Sequence, residues 1–345
     1  MRAVVMSGYG SYEVLVERDV DVPKISVGEV LIRIRGCGVC YRDTIVRRGF
    51  MRAKIPVIPG HEVSGEVVEI GDGVTGFSKG DLVASLIYIH NPRDPSCGEG
   101  YENICRSRVS IGEDRDGCYA EYITLPYWVL KRIGDPGDNP PEAYSIAACV
   151  VGTSVRALKT IGGVSRDERI LITGAGGGVG IHAIQVAKAL GARVIAATRS
   201  SEKADLIKRV GADDVILYRE GFSEEVRRLT DGEGADLVLD TVGGPTLEQS
   251  LRSVRRGGRI LLIGNIDPNP QRIQLGLVIL REIDIHGVLN STSRELGEAI
   301  EMLRKGLVKP IIREIGLDES MVREAHRILE SGGSIGRIVI TPGKK

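Results

Sequence analysis

Net charge is what this 345-residue chain lacks first: 46 Lys and Arg stand against 46 Asp and Glu, and no block of one sign is long enough for a nucleic-acid arm or an acidic tail. No nucleic acid and no membrane surface are therefore expected as partners. Long apolar runs are missing as well. None approaches the roughly 18 residues that a membrane span needs, and the opening stretch Met1–Gly8 has neither the apolar centre nor the cleavage site of a secretory signal, so a cytoplasmic chain is expected. Cysteine is sparse, at 37, 40, 97, 105, 118 and 149, which is too scattered for a small secreted disulfide framework. Metal ligands or buried thiols are the expectation in a reducing compartment. Arg outnumbers Lys about three to one, a hint of a heat-adapted source that keeps an intracellular disulfide open. There is no internal repeat.

Glycine, by contrast, is plentiful: 45 residues, about 13% against a usual ~7%, placed between periodic segments and not in a low-complexity run. With 42% apolar residues, a chain of this length can build packed interiors in two domains. Over the first ~125 residues the period is two, in short strands at Glu29–Arg35, Glu62–Ile70 and Leu82–Tyr88 separated by Gly, Asp and Pro. From about 150, short Val/Ile/Leu runs alternate with helical patterns: strands at 169–173, 193–197, 215–216, 236–240 and 259–263, and helices at 180–190 and 202–210. Apolar strands each followed by an amphipathic helix predict a doubly wound parallel sheet, so the fold class is α/β. The tail carries helices at 294–305 and 320–330 and a last strand at 336–340. The joints are expected near 150 and 287, with 288–345 returning to complete the first, β-rich domain.

The strand Ile170–Thr173 runs into Gly174-Ala-Gly-Gly-Gly-Val-Gly180 and then an uninterrupted helix. Glycine permits the tight turn and the close backbone approach there, and the free N–H groups of a helix start suit a pyrophosphate, so Gly174, Ala175, Gly177, Gly178, Val179 and Gly180 are candidate dinucleotide contacts. Ala175, Gly177 and Gly180 hold the three fingerprint positions, the first being alanine. NAD requires a carboxylate at the end of the second strand to accept the ribose hydroxyls. Here Thr198 stands at that position and Arg199, Ser200, Ser201 and Lys203 follow, donors suited to a 2′-phosphate, which predicts NADPH. The competing reading of Ser200 and Ser201 is a helix N-cap, and both can hold.

Two further segments stand out, Gly36-Cys-Gly-Val-Cys-Tyr-Arg-Asp43 and Pro59-Gly-His-Glu-Val-Ser-Gly65. Alone, a buried thiol and a core imidazole would explain them. Together with the glycine turn they resemble the zinc-containing alcohol dehydrogenase group of the medium-chain dehydrogenase/reductase superfamily, over nearly the whole chain. The resemblance implies a GroES-like catalytic domain beside a Rossmann cofactor domain and a catalytic Zn2+ held by Cys40, His61 and Cys149. Two thiolates and one imidazole leave a fourth position open. Glu62 is the neighbouring acid that approaches the metal in this family, and Asp43 matches the carboxylate supporting the histidine. A Cys37/Cys40 redox pair is the lesser reading of that motif.

The family often carries a second, structural zinc on four cysteines, which fall here on Asn91, Asp94, Cys97 and Cys105. Asp94, Cys97 and Cys105 are thus candidate ligands of a structural zinc, the alternatives being a Cys97–Cys105 disulfide or free thiols. The family's alcohol-proton relay falls on Arg42 and Ile45, and neither can carry a proton. More specifically, Cys40-Tyr-Arg-Asp43, Asp240-Thr-Val-Gly243 and Ile263-Gly-Asn-Ile-Asp-Pro268 look like archaeal acryloyl-CoA reductases, which reduce an activated C=C bond with NADPH. Arg42 is then a candidate for an anionic substrate group, against the plainer reading of a surface salt bridge. Hydride transfer to an alcohol or carbonyl substrate and reduction of a 2-enoyl thioester are the two expectations. A nucleotide-binding protein without turnover is a third. By resemblance Thr153, Asp240, Val242, Gly243, Gly264, Asn265 and Leu289 are further cofactor contacts, and a homodimer or homotetramer is implied.

Overall fold

The computed structural model describes residues 1–98 and 100–343 and divides into two compact units: Met1–Gly152 with Asn290–Gly306 and Ile312–Lys345, and Thr153–Leu289 with Leu307–Ile311. The sequence reading assigned 307–311 to the first unit. Those residues belong to the second because Gln185 binds both ends of Lys309, from Nε2 to its carbonyl (3.0 Å) and from its N–H to Oε1 (2.8 Å), while Ile311 N–H donates to His182 Nε2 (2.9 Å).

The first unit is built on a seven-stranded sheet. Its path runs Ile312–Gly316, Arg337–Thr341, Glu29–Val39, Glu62–Ile70, Leu82–Ser85 and Leu130–Arg132, with Tyr122–Pro126 also pairing with Glu29–Val39. The long central pair is antiparallel, Cys37 opposite Val63 and Gly38 opposite Glu62. That register fixes the start of the Glu62 strand against the end of the Cys37 strand. The strand expected at Leu82–Tyr88 is two pieces, Leu82–Ser85 and Tyr88–Ile89, because its second half pairs with Val109–Ser110 instead. Two amphipathic helices complete the unit. Ser293–Arg304 starts on a capping box of Thr292 and Glu295, and Glu319–Glu330 starts on Asp318, whose carboxylate accepts from Ser320 and Met321 N–H.

The second unit is a six-stranded sheet of parallel pairs in the order Asp214–Leu217, Arg193–Thr198, Arg169–Ile172, Ala235–Asp240, Val254–Leu262, Asp284–Gly287. The order doubles back between Arg169–Ile172 and Ala235–Asp240, the switch point at which such sheets bind ligands. Ile170, Leu171, Ile172, Leu237, Val238 and Leu239 are fully buried, as strands covered on both faces must be. No helix among the described residues is long and apolar enough to cross a membrane.

Candidate functional site

Cys40 ends the long strand and begins the helix Tyr41–Arg47. Cys40 and Asp43 form a capping box, in which the Asp43 carboxylate accepts the Cys40 N–H (Oδ2, 2.8 Å). The other oxygen of Asp43 lies 3.1 Å from His61 Nδ1. With Nδ1 taken, His61 presents Nε2, which sits 3.7 Å from Cys149 Sγ, and Cys149 Sγ lies 4.0 Å from Cys40 Sγ. Cys149 arrives on a wide helical turn, Ala147–Gly152, all of it buried. The bonding there is π-helical, a local widening that recurs at functional sites.

These three groups were gathered on resemblance, and the structure brings them together. One ligand atom each from Cys40, His61, Glu62 and Cys149 lie within 4.8 Å of one another. Zinc bonds of about 2.3 Å to sulfur and 2.0–2.1 Å to nitrogen put tetrahedral neighbours roughly 3.5–3.8 Å apart. The donor set fits that ion. Glu62 fits as well: its two buried oxygens make no hydrogen bond, although Arg337 Nη2 stands 3.1 Å from Oε1 without hydrogen-bond alignment. Burial pushes the Glu62 carboxyl up to about 7 against the pull of Arg337. The Cys149 contact draws the Cys40 thiol well below its usual range, and the same contact with burial raises Cys149. Burial opposes charge on His61, but Asp43 and Cys40 outweigh it and its pKa lies well above normal.

Several supporting groups carry no motif and escaped the sequence reading. Tyr119 O–H donates to Asp43 Oδ2 (3.0 Å) and lies 3.3 Å from Nε2 of the buried His326. Arg337, fully enclosed, faces Glu62. Only the topology, which brings the last strand beside Glu29–Val39, makes these neighbours.

Arg42 follows the plainer of its two readings, an ion pair, here partly buried. Its guanidinium grips Glu113 with two bonds, Nε to Oε1 (2.5 Å) and Nη2 to Oε2 (2.9 Å), and donates to Tyr88 Oη (2.7 Å). Its charge is spent within the protein, so the structure does not offer it to an anionic substrate. Ile45, the other relay position, is buried.

Asp94, Cys97 and Cys105, the candidate ligands of a structural zinc, also come together, with one ligand atom each within 4.8 Å of the others. Cys97 and Cys105 are bonded to each other. Asp94 caps the turn at Pro95–Cys97 and accepts from Ser107 O–H (2.7 Å), and Asn91 turns its Oδ1 to Arg93 N–H. The joined sulfurs follow the disulfide alternative for this lobe, and a metal here would need them as separate thiolates. Cys37 is bonded to Cys118 and not to Cys40, so the Cys37/Cys40 redox pair does not form, and Cys40 and Cys149 are the free cysteines.

In the second unit, Gly174 takes φ +57° and the helix Gly178–Ala189 follows, two residues earlier than the sequence suggested. Its first ladder bond is Ile181 N–H to Gly177 O (3.1 Å), which leaves the N–H groups of Gly178, Val179 and Gly180 ahead of the ladder for an anion. A Cβ on Gly180 would stand 2.4 Å from Gly174 O, so the turn closes only on glycine. Ala175 is buried and gives its N–H to Ala197 O (3.2 Å). Thr198 is buried, Arg199 exposed and Ser200 partly so, with Ser200 N–H on Thr198 Oγ1 (3.2 Å). The Lys203 stem packs over Gly176, and burial lowers its ammonium. Tyr218, missed in the sequence, is half-buried next to Arg199.

Asp240 is not placed to reach a ligand. Fully buried, it accepts from Thr173 and Thr246 hydroxyls and from Val242 and Gly243 N–H on one oxygen, and from Ser250 on the other. It shapes the turn that presents Val242 and Gly243. Gly264 closes against Thr241, Asn265 is exposed, Leu289 is half-buried and Thr153 is buried on the helical turn Thr153–Val155.

Comparison with known proteins agrees with both halves. Residues 26–135 match the alcohol dehydrogenase GroES-like domain and residues 178–305 the zinc-binding dehydrogenase family. The acryloyl-coenzyme A reductases of Metallosphaera sedula and Sulfurisphaera tokodaii are 39% and 37% identical, each match covering 99% of this chain and 100% of the relative. A solved NAD-dependent alcohol dehydrogenase is 33% identical with a TM-score of 0.93, over 99% of this chain and 100% of that one. The chain therefore belongs to the zinc-containing alcohol dehydrogenase group of the medium-chain dehydrogenase/reductase superfamily, close to the archaeal acryloyl-CoA reductases, as an oxidoreductase of zinc and a nicotinamide cofactor.

Proposed function

We propose that this enzyme uses NADPH to reduce the activated C=C bond of a short 2-enoyl thioester of the acryloyl-CoA class. The observation that carries this reading is the Arg42–Glu113 pair. An alcohol dehydrogenase must pass the alcohol proton to solvent, and both family relay positions are closed here, one by a guanidinium clamped to a carboxylate and one by a buried isoleucine. Conjugate reduction needs no such relay. Hydride goes to the β-carbon and a solvent proton to the α-carbon, giving the saturated thioester. The full-length similarity to two acryloyl-coenzyme A reductases points the same way.

When bound, zinc supplies a Lewis acid that polarises a carbonyl oxygen, and NADPH supplies the hydride. Cys40, His61 and Cys149 would hold the metal, Asp43 would aim the imidazole, and Arg337 would draw the Glu62 carboxyl toward its charged form against the opposing effect of burial. For the cofactor, the glycine turn would take the pyrophosphate. Thr198 in place of an acid, with Arg199, Ser200 and Lys203, supports NADPH over NADH. Carbonyl reduction is the second reading, favoured by the complete Cys–His–Cys set. The third, a nucleotide binder without turnover, has that intact set against it.

The test is acryloyl-CoA beside a panel of simple aldehydes, each with NADPH. Rapid oxidation with the thioester alone supports the proposal, and turnover of aldehydes alone overturns it. A cytoplasmic location belongs to this reading. A homodimer or higher homo-oligomer belongs to it too: Leu275, Ile279 and Leu280 of the helix Leu275–Arg281 are exposed beside the edge strand Asp284–Gly287. A second copy paired about Ile285 would set Asp284 opposite the partner's His286, and light scattering reads the copy number.

A further inference from the structure

Between Asp43 and Glu62 the chain carries no acid, yet it places Arg47, Arg48, Arg52 and Lys54 within eight residues. In a protein of zero net charge this is a local excess of positive charge, and the structure sorts its members. Arg47 turns inward, 2% exposed, bonded to Glu330 and the Gly10 carbonyl and stacked on Tyr12. Arg48, Arg52 and Lys54 are exposed and have no ion-pair partner among the described residues. Phe50, half exposed, stands between them with the Arg48 guanidinium 4.9 Å from its ring centre.

The segment is a fixed platform. Tyr9 Oη accepts the Ala53 N–H (2.7 Å) and donates to the Ala53 carbonyl (3.0 Å), while Arg48 and Phe50 N–H groups bind back to Thr44 O and Ile45 O. It is also tied to the metal site. Lys54 N–H donates to Glu113 O (2.7 Å), and the Glu113 carboxylate is the one that clamps Arg42, two residues from Cys40. The helix Tyr41–Arg47 joins the two places directly, with Cys40 at its start and Arg48 at its end.

We propose that Arg48, Arg52 and Lys54, with Phe50 as a stacking face, bind the phosphorylated adenosine end of an acyl-CoA substrate. The proposal rests on the thioester reading above and adds to it the part of the chain that recognises CoA as the carrier. Three unpaired cations match a 3′-phosphate and a pyrophosphate, and an exposed ring beside them suits adenine. The same chemistry is present in NADPH, whose adenosine phosphate the glycine-turn unit would hold, so the test keeps the two ligands apart.

Calorimetric titrations of the zinc-loaded protein with CoA, with adenosine 3′,5′-bisphosphate and with NADPH are compared with those of a triple variant, Arg48→Ala, Arg52→Ala and Lys54→Ala. CoA and the bisphosphate are expected to weaken about tenfold or more in the variant, with NADPH affinity and melting temperature within error. The wild-type affinity for CoA is expected to fall steeply with salt. In turnover, the ratio of kcat/KM for acryloyl-CoA to that for acryloyl-pantetheine, which lacks the nucleotide, should drop by about the same factor. CoA binding unchanged in the variant, no CoA binding by the wild type, or NADPH weakened as much as CoA would each overturn the assignment. If the wild type reduces acryloyl-pantetheine while the variant binds CoA normally, the thioester reading stands and this one falls. If the wild type reduces neither thioester, the thioester reading falls, and CoA titration still decides the platform.

Discussion

Asp43 and His61 are joined at 3.1 Å between Oδ1 and Nδ1, and the second oxygen of the same carboxylate receives the backbone N–H of Cys40. One side chain thus orients two of the three candidate metal ligands. Replacing Asp43 with Asn keeps the shape but removes the charge that supports the imidazole, and partners of this kind are typically worth about 10–100-fold in metal affinity. Zinc retention by Asp43→Asn under chelator competition should fall in that range, with far-ultraviolet circular dichroism unchanged. Retention equal to wild type would remove Asp43 from the site.

Gly38 faces Glu62 across the antiparallel pair so closely that a Cβ there would stand 1.9 Å from Glu62 Oε2. The carboxylate cannot retreat freely, since Arg337 faces its other oxygen. Gly38→Ala should therefore cost about 1–3 kcal/mol, the usual range for overpacking. Zinc stoichiometry should fall with it, whereas Gly276→Ala, where an added Cβ meets nothing within 4 Å, serves as a control.

His326 is fully buried, touches Tyr119 Oη through Nε2 and leaves Nδ1 without a hydrogen bond, which describes a neutral ring. Burial lowers its pKa from 6.5 to about 4. The unfolded chain then binds a proton that the folded chain refuses between those values, so stability falls as pH drops from about 6.5 to about 4, and this contribution changes no further below. The loss amounts to about 3 kcal/mol on the order-of-magnitude scale. Denaturant midpoints measured across that window should decline in the wild type and decline less in His326→Gln.

How much of this the sequence disclosed depended on whether a group sits in a local pattern. The parallel sheet was legible because strands buried on both faces read as Ile-Leu-Ile or Leu-Val-Leu runs, and the nucleotide turn was legible because its glycines lie within seven residues of one another. The metal set was legible only through a resemblance, since Cys40, His61 and Cys149 lie far apart and each has an ordinary alternative. Arg337, Tyr119 and Glu113 could not be read at all. Their roles arise from strand order and register, which bring the last strand against Glu29–Val39 and Glu113 against Arg42. Arg42 itself was visible as a departure from the relay, but nothing in the spacing disclosed the carboxylate that neutralises it.

The cysteine pairing has a direct chemical readout. With Cys37 bonded to Cys118 and Cys97 to Cys105, only Cys40 and Cys149 remain as thiols. Alkylation of the unfolded, metal-stripped protein should label two cysteines without reductant and six after reduction, and metal analysis should give one zinc per chain. Two zincs with six labelled thiols would restore the structural metal site. Cross-linking over 81 residues constrains the unfolded chain by about 4.5 kcal/mol in the loop-entropy treatment. Reduction should accordingly lower the melting temperature, and Cys118→Ser should lower it without reductant.

Cofactor choice turns on the end of the strand Arg193–Thr198. A carboxylate there would accept ribose hydroxyls and repel a phosphate, but Thr198 offers only its hydroxyl, which receives Ser200 N–H, and the next side chain is the exposed guanidinium of Arg199. A charge-assisted bond from Arg199 to a 2′-phosphate is worth about 1.5–3 kcal/mol. Arg199→Ala should therefore weaken NADPH by about tenfold or more while leaving NADH nearly unchanged, because NADH has no group for that arginine to meet. Thr198→Asp should act on both ligands in opposite senses, weakening NADPH by repulsion and strengthening NADH through the new acceptor. Fluorescence titration of the two variants with both nucleotides separates the effects, and wild-type protein that binds NADH more tightly than NADPH would reverse the assignment before any variant is made.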